Sequence, residues 1–197
     1  GDAQTTSVTV SQSAEATAAA AVAGIVNGAV TVTDANLATA SDTITSVTLS
    51  NHGATTINST VLSDLAVTGG ATAALASGAI TIDQTAADTS TAATTLNISG
   101  SGFIGAIDGT QADVYTTVNV EASAALTIAD VNLAAATAIN ASGAGVTTIT
   151  ATTDVGAVTA FTSTGGGLVI GAAIDNAAQF TGGAGADSVI LGATAKT

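Results

Sequence analysis

Three stretches, Thr94–Gly100 (TTLNISG), Thr116–Ala122 (TTVNVEA) and Thr147–Thr153 (TTITATT), echo one another in pattern. Each opens on two threonines and then alternates aliphatic with polar or small residues. Period-two alternation sends every aliphatic to one side, the mark of a strand with a single buried face. Thr and Val suit such a surface because their branched Cβ is stiff. Asn97 and Asn119 fall inside these strands, where they can form side-chain ladders if successive strands stack in register.

Similar runs fill the rest of the chain, bounded by Gly, Asn, Asp and Ser. They are Thr6–Gln12, Gly28–Asp34, Ile44–Asn51, Leu65–Gly70, Ala79–Asp83, Leu126–Val131, Ala138–Gly143, Ala160–Gly166, Leu168–Gly171 and Ser188–Gly192. In the second half their starts lie roughly ten residues apart, so two runs make a unit of about twenty. That spacing fits a sandwich, a barrel or a β-solenoid. In-strand Asn, turns of Gly, Asp and Ser, and the dominance of small residues favour the solenoid. The fold predicted is all-β, a parallel β-helix-like stack of short strands, with a β-sandwich as the alternative. Ala14–Gly24 is a helix candidate, with Ser13 as N-cap and Gly24 past its end; Asp130–Ala138 is a lesser one. Asn27-Gly28 is the single Asn-Gly pair and marks a plausible hairpin.

Composition narrows the function. The chain of 197 residues has no Cys, Pro, Met or Trp, and Lys+Arg total 1 against Asp+Glu 14, with one His. Catalysis ordinarily draws on His, Lys, Arg, Cys or Tyr with tuned acidity, and that set is nearly empty. A polysaccharide lyase on a β-helix would need basic groups to stabilise an enolate. The reading is therefore not an enzyme. The net charge of −13 makes nucleic acid and anionic membrane surfaces poor partners, and no stretch can span a bilayer as a helix. Carboxylates without bases either keep the particle soluble or gather a divalent cation, and oxygen-only ligands select Ca²⁺. Absence of Cys fits an extracellular bacterial protein. Gly1–Ser11 lacks the basic and apolar regions of a signal peptide, and the two ends read as cuts within a longer chain.

One motif carries ligand chemistry. Gly182-Gly183-Ala184-Gly185-Ala186-Asp187, followed by Val189, matches the Gly-Gly-x-Gly-x-Asp nonapeptide of calcium-binding β-rolls. Its glycines would permit positive φ, turning backbone carbonyls toward one centre, and Asp187 would supply an anionic oxygen. Gly182, Gly183, Gly185 and Asp187 are thus candidate Ca²⁺ ligands, though a single copy is half a site, because such ions lie between successive coils. Asp108–Asp113 (DGTQAD) is an acidic turn in which Asp108 and Asp113 are weaker candidates. Asp34, Asp42, Asp83 and Asp88 read as turn-formers. His52, without a nearby acid or nucleophile, reads as a surface turn residue. Phe103, Tyr115, Phe161 and Phe180 read as core or coil-end plugs. Asn58-Ser59-Thr60 and Asn97-Ile98-Ser99 fit the N-glycosylation pattern by chance.

The C-terminal block FTGGAGADSVILGATAK (Phe180–Lys196), the early block VAGIVNGAVTVTD (Val22–Asp34), SVTVSQSAEATAAAAVAG (Ser7–Gly24) and TTLNISG (Thr94–Gly100) together resemble the central region of RsaA-type surface-layer proteins of Caulobacter. The resemblance runs in order from about Thr5 to Lys196 and is vague between Leu49 and Thr94. It implies a secreted protein, exported by a type I system, that coats the cell as a calcium-dependent two-dimensional lattice of identical copies. Lipopolysaccharide would be held only through regions outside this chain. Residues 1–197 would form a single β-rich domain, an internal fragment of a longer protein, with 180–197 beginning its calcium-binding repeats. The alternative is a stalk or binding domain of a large secreted adhesin carrying the same repeats.

Overall fold

The alternating runs become strands, and every ladder between them is parallel. The computed structural model describes residues 5–12, 27–34, 41–84, 90–110, 114–152, 158–174 and 179–191. In chain order the strands are β1 (Ser7–Ser11), β2 (Val30–Thr33), β3 (Ser46–Ser50), β4 (Thr55–Asn58), β5 (Asp64–Thr68), β6 (Ile80–Asp83) and β7 (Thr95–Thr110). They continue with β8 (Thr117–Asn132), β9 (Ala138–Ser142), β10 (Thr147–Ala151), β11 (Ala160–Ser163), β12 (Leu168–Ile174), β13 (Gln179–Thr181) and β14 (Ser188–Leu191). The only helical element among the described residues is a 3₁₀ turn at Ala73–Leu75.

The chain winds as a β-solenoid. One ladder stacks β1, β3, β5, the first part of β7, the first part of β8, β9, β11 and β13. The other stacks β2, β4, β6 and the later parts of β7 and β8, then continues through β10, β12 and β14. Asn97, Asn119 and Asn140 are equivalent positions 22 and 21 residues apart, the period expected from the spacing of the runs. Between the ladders lies a thin core, in which Val47, Leu65, Ile98 and Val120 face Ile57, Ile82, Ile107 and Val131. Each such aliphatic, fully buried, contributes about 1.5–3 kcal/mol. Tyr115 and Phe161 are its largest fully buried side chains, as plugs should be. The Tyr115 hydroxyl donates to the Leu62 carbonyl at 2.6 Å.

Several local expectations gave way to the register of the coils. Asn27-Gly28 makes no hairpin, because β2 runs parallel to β4. The lesser helix candidate is instead strand through Asn132, a turn, and strand again from Ala138, since Val131 and Leu133 are needed in the core. Asp108 is not in a turn but within β7, paired with Thr81 and Asn132. Strands β4 and β13 were not foreseen. Nor was the continuity of β7, which turns its corner at Gly100 and Gly102 with φ +150° and +86°. A Cβ on Gly100 would lie 1.8 Å from the Val67 carbonyl oxygen. The helix candidate Ala14–Gly24, Asp88 and Asp113 lie outside the described residues.

Candidate functional site

The Gly182–Asp187 motif forms the corner of the last described coil, leading from β13 to β14. It stacks on the corner 164–167, which stacks on 143–146. The Gly166 N–H donates to the Gly143 carbonyl at 2.8 Å, and the Gly145 N–H to that of Ala122 at 2.9 Å. Gly165-Gly166-Gly167, which does not match the nonapeptide, nevertheless occupies the equivalent place. Gly182, Gly183 and Gly185 do not take positive φ, contrary to the expectation from the motif. Space decides at Gly185, where a Cβ would come 2.2 Å from the Gly166 carbonyl carbon. The glycines here let backbone pack on backbone.

Asp187 is held by the corner it closes. Its Oδ1 accepts the Leu168 N–H of the preceding coil at 2.8 Å, and its Oδ2 accepts the Gly183 N–H of its own turn at 3.0 Å. The Leu168 N–H foremost holds this carboxyl below the usual carboxylate range. The Ser163 hydroxyl, which faces it without closing a well-formed hydrogen bond, and the Gly183 N–H act in the same direction; desolvation opposes them. Calcium takes roughly six to eight oxygens. The described part of this corner supplies one carboxylate, already engaged on both oxygens, and no group of three or more acidic, His or Cys side chains occurs among the described residues. This donor set alone does not make a calcium site. Asp108, in its strand, is not brought beside Asp187.

Polar side chains also join coils along the first ladder. The Asn140 amide donates to Asn119 Oδ1 at 3.0 Å, Asn119 to Asn97 Oδ1 at 2.9 Å, and Asn97 to Asp64 Oδ1 at 3.2 Å. All amides point the same way, so their dipoles run toward the Asp64 carboxylate. The in-strand asparagines signalled this ladder, but its end at Asp64 carries no sequence signal. The outer surface of this ladder carries two shallow hollows of about 260 and 430 Å³, sharing Ala66, Ser99 and Glu121 as lining residues. Small polar residues and two carboxylates, Asp64 and Glu121, make up much of that surface.

At the opposite corner, buried polar groups close the loops. Asp34 Oδ2 accepts the N–H groups of Thr43 and Ile44 at 2.6 and 2.8 Å, and Asp42 Oδ2 accepts that of Thr60 at 2.6 Å. Gln84 donates to the carbonyls of Thr60 and Ala93 and accepts the Val114 N–H. His52 departs from expectation: it is fully buried, not on the surface. Its corner is a tight four-residue link between β3 and β4, with Asn51 at φ 50°. The geometry throughout suits holding coils together. Compared with known proteins, the chain matches no family model and no curated protein sequence.

Proposed function

We propose that this chain is a structural segment of a bacterial surface layer, secreted and non-enzymatic, that assembles with copies of itself at the cell surface. The observation that carries this reading is that the polar side chains brought together by the fold join coil to coil. The Asn ladder, Asp187 and Gln84 all do so. The resulting rod presents regular rows of Ser, Thr and Asn on its outside. Weak contacts between such rows become strong when repeated across a lattice. Calcium belongs to this reading through the Gly182–Asp187 corner: a second acidic turn stacked on Asp187 would complete the oxygen set.

Electron microscopy and sedimentation of the purified chain at rising concentration, with and without added Ca²⁺, test it. Ordered sheets that grow with concentration are expected, and chelator should loosen them. Monomeric rods under every condition would overturn the lattice reading in favour of an adhesin stalk. Sheets indifferent to chelator would remove calcium while leaving the lattice.

A further inference from the structure

One inward column of the second ladder runs Ile104, Ile128, Ile149, Ile170 and Val189 in successive coils. A bridge between Ser77 and Ile104 carries it into the N-terminal coils. There Val30, Thr55 and Ile80 are in register, so Asn27, His52 and Ser77, three residues earlier in each coil, fall at equivalent places. Gly53 N–H bonds to the Gly28 carbonyl and Gly78 N–H to that of His52, which fixes the same stacking. The column thus changes from aliphatic to polar. Asn27 Oδ1, His52 Nε2 and Ser77 Oγ are all buried without a hydrogen-bond partner in the protein.

The chemistry of these atoms defines what they bind. His52 Nδ1 lies 2.8 Å from the Gly53 carbonyl, which cannot donate, and 3.0 Å from Thr55 Oγ1, which donates to that same carbonyl at 3.1 Å, so Nδ1 carries the proton and Nε2 is an acceptor. Asn27 Oδ1 is also an acceptor. Two acceptors cannot satisfy each other, and a bridge between them must donate twice. Neither atom finds a direct partner in the protein, so the bridge must come from outside the chain. A water has two hydrogens to donate and is the smallest group that can bridge two acceptors. Ser77, small and able both to donate and to accept, suits a second bridge. A metal ion fits poorly, with one neutral nitrogen and two neutral oxygens for ligands.

We propose that the Asn27–His52–Ser77 corner is an internal hydration site whose bridging waters join the first three coils, and that His52 makes it an acid-sensitive point of the solenoid near neutral pH. Protonating Nε2 turns the acceptor into a donor and places a charge in the core. The described stretches at this corner, 7–12, 27–32, 48–55, 66–70, 76–81 and 103–106, hold no acid or base other than His52. Among the described residues of these stretches no carboxylate is there to hold an imidazolium. Burial pushes the His52 ring below its ordinary range, opposed by the Gly53 carbonyl. Stability from a neutral buried His is full above about pH 6.5 and falls as pH drops toward the folded-state value.

NMR of the labelled chain reads the site directly. The expected result is an Nδ1–H tautomer with cross-relaxation from long-lived water to the ring. An Nε2–H tautomer, or a ring without water contact, overturns the proposal. Zinc that raises the melting temperature and shifts the His52 resonances would make this a metal site and overturn it equally. Between pH 7.5 and 5.0 the melting temperature should fall, and H52Q should lose that part of the fall. An equal fall in wild type and H52Q refutes the acid switch. Should H52Q not fold, the wild-type His52 resonance decides: it should not titrate while the fold persists, and ordinary titration near pH 6.5 in the folded chain refutes it.

Discussion

Replacing Asn119 by Ala tests whether the amide ladder holds the coils together. Asn119 makes two bonds along the stack, donating to Asn97 at 2.9 Å and accepting from Asn140 at 3.0 Å. A net hydrogen bond contributes about 0.5–1.5 kcal/mol. These side chains are half-buried, so water can replace part of what is lost. The expected loss is therefore about 1–2 kcal/mol, or about 3–6 °C of melting temperature for a chain of this size. Urea unfolding of N97A, N119A and the double variant separates the bond from side-chain removal. A coupling of about 0.5–1.5 kcal/mol between the two positions is expected. Additive losses would show that the amides stand in register without bonding, and the reasoning would fail.

Other perturbations address the corners and the charge. G185A should destabilise by about 3 kcal/mol or more through overpacking against Gly166, whereas G28A, whose Cβ would meet nothing nearer than 3.7 Å, should change stability by about 0.5 kcal/mol or less; equal melting temperatures would refute the backbone-packing argument. Asp187 has a lowered folded-state pKa, so its contribution is present above about pH 4 and lost as pH falls through the folded value. Acid unfolding of D187N should accordingly be shallower in that range than that of wild type. S142E sets a second carboxylate beside Glu121, at about 4.8 Å, and should cost up to about 1 kcal/mol in low salt relative to S142Q. Salt should close the difference between the two melting temperatures.

Legibility in the sequence followed the period. Alternation at Thr94–Gly100 and Thr116–Ala122 located the first part of both strands, and the in-strand Asn pair foretold the ladder, because in a parallel stack equal positions meet. Bulk placed the aromatics as plugs: Tyr115 and Phe161 are buried, whereas Phe103 and Phe180 are only partly so. Residue preference misled wherever register overrode it. Asp108 looked like a turn yet continues β7, and His52 looked exposed yet is enclosed by the coils around its corner. The Gly-Gly-x-Gly-x-Asp motif was visible, but its glycines serve close approach between coils, which only the stacked partner Gly166 reveals. The polar corner of Asn27, His52 and Ser77 was hidden because its members are 25 residues apart and chemically unlike.

The stacked register also accounts for the unusual composition. In a parallel coil each side chain sits directly between its equivalents above and below, so like charges in one column would repel at about 4.8 Å. Each acid that falls in a ladder is flanked by neutral residues on both sides. Asp64 lies between Ser46 and Asn97, Asp83 between Asn58 and Thr110, and Asp108 between Thr81 and Asn132. Glu121 lies between Ser99 and Ser142, and Asp130 between Ala106 and Ala151. Spaced this way, acidic groups need no basic partners, and a chain with a single Lys+Arg can still fold. The price is a ceiling on charge density along any column, which leaves Ser, Thr, Asn and Ala to fill the intervening rungs. A low-charge, small-residue alphabet is thus what this stacking selects, before any demand that assembly places on the outer faces.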